Sequence, residues 1–164
     1  MQLSINLVCV SGVSSVSLPA NTFTTTYKRY RIIIKATSST GADINFRLRS
    51  ASTDASGNDY KQQSINANNT TISGIRNSAT FFYAAGGYIG TTGETNHIFE
   101  LQNPASAVRT QGIIFAPLDG LSTAAIQFHQ SVTFHDVASA YDSGTVIATA
   151  GNITGSVSVY AYNE

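Results

Sequence analysis

The chain has 164 residues, with nine Lys and Arg balanced by nine Asp and Glu, and its formal net charge is zero. Charged residues make up only 11%, against ~25% in an average globular domain. Such a balance excludes a strongly basic nucleic-acid binder and a strongly acidic cation collector. At this length one domain spanning residues 1–164 is expected, large enough to fold without disulfides or a metal. Eight Tyr and eight Phe stand beside no Trp, and Ser, Thr, Asn and Gly replace charge on the polar positions. A neutral, hydroxyl-rich surface keeps copies apart poorly, so a protein that assembles into something is expected.

The opening stretch lacks a basic segment, and Leu3, Ile5 and Leu7 alternate with Ser4 and Asn6. It reads as a first strand over Leu3 to Val10 and not as an export signal. Cys9, the single cysteine, reads as a small buried hydrophobe, because no basic neighbour activates it. A weaker strand runs from Val13 to Leu18 and is closed by Pro19. Phe23, Tyr27 and Tyr30 follow. Thr24, Thr25 and Thr26 oppose a helix there, so these aromatics are expected to cap the core from an extended or single-turn segment.

Two alternating runs come next, Tyr30 to Thr37 and Ile44 to Arg49. Ile32, Ile34 and Ala36 share one face of the first, and Ile44, Phe46 and Leu48 share one face of the second. The turn residues between them predict an antiparallel hairpin. Its polar face would gather Arg29, Arg31, Lys35, Arg47 and Arg49, either a candidate surface for an acidic partner or a solvated face whose cations pair with acids such as Asp43 and Asp59.

Further strands are predicted over Tyr60 to Ile65, Thr80 to Ala84, Asn96 to Gln102 and Gln111 to Ala116. A turn region is read over Ala67 to Thr71. The longest alternating run is Ala124 to Phe134. Its apolar set, Ala124, Ile126, Phe128, Val132 and Phe134, predicts the buried face, with Gln127, His129, Ser131 and Thr133 outside and Gln130 marking a bulge or a strand bend. Thr145 to Thr149 and Gly155 to Tyr162 close the chain. Eight to ten strands without helical periodicity predict an all-β, two-sheet antiparallel β-sandwich, jelly-roll-like, with under ~10% helix. Phe46, Leu48, Ile126 and Phe128 are the expected core anchors.

No catalytic constellation is legible, so no enzyme is expected. His129 and His135 lie six residues apart, roughly 20 Å along a strand, too far to share one metal. All three histidines, His97 included, read as surface or loop residues. Asp136 adjoins His135, but strand neighbours point to opposite faces. Asp54, Asp59, Asp119 and Asp142 sit in turn-like sequence. No nucleophile elbow, dinucleotide fingerprint or phosphate loop occurs. The expected catalytic, metal and cofactor sites are therefore none.

Several stretches resemble small β-sandwich virion structural proteins of tailed bacteriophages. They are Phe23-x-x-x-Tyr27-x-x-Tyr30-x-Ile32-x-Ile34, the run Ile44 to Asp54 continuing to Tyr60, Phe99-Glu100-Leu101-Gln102-Asn103-Pro104, and the tail Gly151 to Tyr160. Where that family often has Gly after the closing Tyr, this chain has Ala161. The resemblance covers most of the chain from Val16 onward and concerns fold, not active-site chemistry. It implies a capsid decoration (cement) protein on the outer capsid surface of a virion, partnered by the major capsid protein and by itself as a homotrimer. No nucleic-acid or membrane partner is implied. The alternative it implies is a tail-fibre or tail-spike knob that recognises host surface glycans, for which Tyr83, Tyr88, Tyr160 and Tyr162 could supply aromatic platforms.

Overall fold

The computed structural model describes residues 3–68, 70–92, 94–118 and 127–162. These residues form thirteen strands and no helix. The larger sheet contains, in spatial order, β1 (Leu3–Val13), β13 (Ile153–Tyr162), β3 (Arg29–Ser38), β9 (Thr95–Gln102), β10 (Thr110–Leu118), β11 (Gln127–His135), β6 (Tyr60–Asn68) and β7 (Thr71–Ala79). The smaller sheet runs β2 (Ser15–Ser17), β12 (Ser143–Ala148), β4 (Ala42–Ser50) and β5 (Thr53–Asp54), and β8 (Phe82–Ile89) also pairs with β4. Neighbouring strands are antiparallel throughout, so the chain is a two-sheet antiparallel β-sandwich, as its alternation predicts.

The face assignments in β3 and β4 match the structure. Ile32, Ile34, Ala36, Ile44, Phe46 and Leu48 are all buried. The predicted hairpin between these strands does not form. Both edges of β3 are taken, by β13 and β9, while β4 pairs with β12, β5 and β8 in the other sheet. Residues 39–41 end in Gly41, whose φ of 76° lets the chain turn the corner from one sheet to the other. The two apolar faces then meet across the core, where Phe46 and Phe99 have ring centroids 5.7 Å apart. Gly144 seats that Phe46 ring, since a Cβ there would lie 2.1 Å from its Cζ.

Two tyrosine hydroxyls buried in the core, those of Tyr30 and Tyr60, are satisfied by backbone partners. Tyr30 stacks edge-on against Phe23 at 4.8 Å. Its hydroxyl accepts from the Thr24 amide at 2.7 Å and donates to the Thr24 carbonyl at 2.9 Å. At the other end Tyr60, on the larger sheet, reaches the smaller one. The Leu48 amide donates to its hydroxyl at 3.1 Å, and the hydroxyl donates to the Ala55 carbonyl at 2.8 Å.

The prediction for β11 is inverted. Phe128 and Val132 are exposed, and His129, Ser131, Thr133 and His135 are buried. Ile126 lies outside the described residues. Gln130 marks no bulge, because β11 pairs in unbroken register with β10 and β6. The physical reason for the inversion is space. β8 crosses the inner side of β10, β11 and β6, and the inward residues of β10 include Gly112 and Ala116. A Cβ on Gly112 would come within 2.9 Å of the Glu100 carbonyl and 3.0 Å of Thr133 Oγ1. Thr133 takes the space beside Gly112, and His129, Ser131 and His135 turn inward with it. A strand's register admits only one face inward, so all the alternate residues follow.

Candidate functional site: the outer face of the larger sheet

The inversion leaves a folded sandwich with apolar residues on the wrong side for stability. In the register of the sheet, Ile113 lies opposite Val132, and Phe115 opposite Gln130, which lies opposite Ile65. Phe128 lies opposite Ala67, which lies opposite Ile72. Directly opposed residues share a face, so Ile65, Ile72, Ile113, Phe115, Phe128 and Val132 form one patch. They are 36–74% exposed. Of nine exposed large hydrophobics among the described residues, these six lie on this one face, and only Val13, Val108 and Val137 lie elsewhere. Scattered apolar exposure is ordinary, but a contiguous patch marks a contact surface.

Charge flanks the patch. The strand positions of the same face carry Arg29, Arg31 and Lys35 on β3 and Lys61 and Arg76 on β6 and β7, set by the registers Arg31 to Glu100, Lys61 to Phe134 and Arg76 to Gln63. Glu100 is the one acid among the described strand positions of this face. It is already engaged, accepting from Arg31 Nε and from the Tyr162 hydroxyl. Burial first, and then this bond to Glu100, pushes the Tyr162 hydroxyl above the ordinary tyrosine range.

The five cations expected to form one cluster are divided between two faces. Arg29, Arg31 and Lys35 stand on the face just described. Arg47 and Arg49 stand on the outer side of the smaller sheet and are occupied there. Arg47 Nε donates to the Thr80 carbonyl at 3.0 Å and its guanidinium lies 5.9 Å from the Phe81 ring. Arg49 Nη1 pairs with Asp54 at 2.9 Å and donates to Ser17 Oγ at 3.0 Å. Their separation follows from the sheet-crossing corner between β3 and β4. Sequence reasoning missed Lys61 and Arg76. The signal for Lys61 was present, since it shares the strand face of Gln63 and Ile65, but β7 itself was unread.

Beside the apolar patch runs an open groove of about 440 Å³, lined by Arg31, Glu100, Gln102, Gln111, Ile113 and Tyr162 among others. A shallower one of about 400 Å³ lies between Arg31, Ile33, Tyr160 and Tyr162. Of the other tyrosines considered as platforms, Tyr83 sits on the smaller sheet and donates to Asp43 at 3.3 Å.

Under this face the three histidines are all buried, which corrects the expectation of surface residues. Thr95 Oγ1 lies 2.9 Å from His97 Nε2, Asn66 Oδ1 meets His129 Nδ1, and the Tyr141 hydroxyl lies 3.3 Å from His135 Nδ1. Burial pushes His97 down to about 4, helped by the charge of His129, and burial alone takes His129 to about 4. His135 is lowered by burial too, against the opposing pull of Asp59 and Asp136. Seven buried side-chain atoms have no hydrogen-bond partner among the described residues, and six of them belong to the inner side of β9, β10 and β11. No group of three or more metal-ligating side chains is found among the described residues. The arrangement is a polar inner seam beneath an apolar, cation-flanked outer surface. No protein-family model, curated protein or solved structure matches the chain.

Proposed function

We propose that this chain is a non-enzymatic structural protein of a tailed-bacteriophage virion, a capsid decoration protein that seats on the outer shell and stabilises it as a homotrimer. The observation that carries the reading is the outer face of the larger sheet. A sandwich with a complete core still keeps six large apolar side chains on one flat surface, at a cost in solubility that a contact surface explains. The fold is the one that the resemblance to phage β-sandwich proteins implies. A decoration protein bridges neighbouring shell subunits, so its binding energy adds to the assembled shell and not to free subunits. Three joined copies gain avidity, each raising the effective concentration of the others.

The test is a heat-release assay on particles with and without the protein. Shells lacking it should assemble and then rupture at lower temperature. Equal rupture temperatures would sink the decoration reading. A second reading, a receptor-binding knob on a tail fibre or spike, is favoured by one feature. Tyr162 and Arg31 line two open grooves, one with Glu100 and the other with Tyr160, a mixture of aromatic platform and polar neighbours that suits a glycan. Finding the chain at the tail tip, with glycan binding lost in Tyr160→Ala, would install that reading instead.

A further inference from the structure

The chain is neutral as a whole, but the outer face of the larger sheet is not. Five cations and one acid occupy its described strand positions. Arg31 is matched by Glu100, and Arg29 has a partner of its own. With both set aside, Lys35, Lys61 and Arg76 still stand on this face without an ion pair among the described residues. Lys35 stands on β3 at one side of the apolar patch, and Lys61 and Arg76 stand at the other side on β6 and β7, the strands that also carry Ile65 and Ile72. From these observations we infer that the face docks a protein surface unlike itself, with an apolar centre flanked on two sides by carboxylates.

Two arguments fix the occupant. The first is charge. In a twofold face-to-face pairing of two copies, two faces of net positive charge meet, and Lys35, Lys61 and Arg76 find no free carboxylate, because Glu100, the one acid among the described strand positions of the face, is already held by Arg31 and Tyr162. Like charges across an interface select against that pairing. Carboxylates on the flanks of a different protein satisfy them. The second argument is area. Six strands about 4.8 Å apart and about 30 Å long present a face of roughly 700 Å², near the ~800 Å² per partner of a stable specific interface. The apolar centre excludes water and supplies the affinity, and the flanking charges set register and encounter rate. This inference deepens the decoration reading and rests on it only for where the partner is found. Under it, the homotrimer contacts use other surfaces.

The experiment uses purified shells stripped of this protein, with the full-length chain added back, and reads binding by co-sedimentation. Variants are chosen at exposed positions so that folding is spared: Val132→Glu in the centre, Lys35→Glu and Arg76→Glu on the two flanks, and Ala150→Glu away from the face. We expect binding to fall about 100-fold for Val132→Glu and about tenfold for each flank variant, with Ala150→Glu unchanged. Raising salt from about 50 to about 500 mM should weaken the wild type and barely affect a double flank variant. Shell binding unaffected by all three variants would overturn the inference while leaving the decoration reading standing. A wild type that ignores stripped shells sinks the decoration reading instead. Acylation footprinting of the intact particle then decides the face: protection of Lys35 and Lys61 upholds it, and full reactivity overturns it. A dimer in sedimentation equilibrium that Val132→Glu dissolves would assign the face to a second copy and overturn the inference as well.

Discussion

Acid should unfold this protein early, and the buried histidines set the scale. His97 and His129 titrate near 4 in the fold and near 6.5 in the unfolded chain. Above pH 7 both imidazoles are neutral in either state and cost nothing. Between pH 6.5 and about 4 the unfolded chain takes up protons that the fold refuses, so stability falls as pH falls. A depression of this size costs about 2 kcal/mol per histidine at pH 5 and about 3 kcal/mol at pH 4. The pair therefore removes about 4 kcal/mol at pH 5, from a total of ~5–15 kcal/mol for a domain of this kind. His135, also lowered, adds in the same direction. The measurement is guanidinium unfolding from pH 8 to pH 4.5. The slope near pH 5 should report uptake of about two protons or more on unfolding. His129→Gln should remove about one of them, whatever it does to stability at pH 8. A stability flat between pH 7.5 and 5, or a slope that His129→Gln leaves intact, would refute the reasoning.

Two further predictions follow from packing. Phe46→Ala, at a fully buried site, should cost about 3–5 kcal/mol, while Phe128→Ala, on the exposed face, should cost under about 1 kcal/mol; equal losses in chemical denaturation would put Phe128 back in the core. Gly144→Ala should destabilise by about 1–3 kcal/mol, because the added methyl would overlap the Phe46 ring. The double variant Gly144→Ala, Phe46→Leu should recover part of that loss, and simple additivity in a double-mutant cycle would contradict the proposed contact.

Strand faces were legible wherever apolar and polar residues separate cleanly, as at Ile32, Ile34 and Ala36. Pairing was not. The alternation of β3 and β4 is the same for a hairpin as for two strands that face each other across a core, and only a three-residue corner distinguishes them. β7 was unreadable for a different reason. Its sequence, Thr-Ile-Ser-Gly-Ile-Arg-Asn-Ser-Ala, puts Ile72 and Ile75 on opposite faces and places Gly74 between them. An edge strand exposed on both sides is under little pressure to alternate. β11 misled because its alternation was genuine. Its larger apolar residues serve the outer surface, and period-2 patterning has no way to say which face meets water and which meets another protein. The five-cation cluster failed with the hairpin, while Lys61 and Arg76 needed the β6 to β7 register to be placed at all.

The pairing of β1 with β13 has a mechanical side. Leu3 stands opposite Ala161, and the register runs on from there toward Gly155. Tension applied at Leu3 and Tyr162 therefore peels β1 from its neighbour rung by rung, the geometry in which a sheet resists least. Force entering broadside through the larger sheet meets a different object: eight strands braced against five, with Tyr60 bolting one layer to the other.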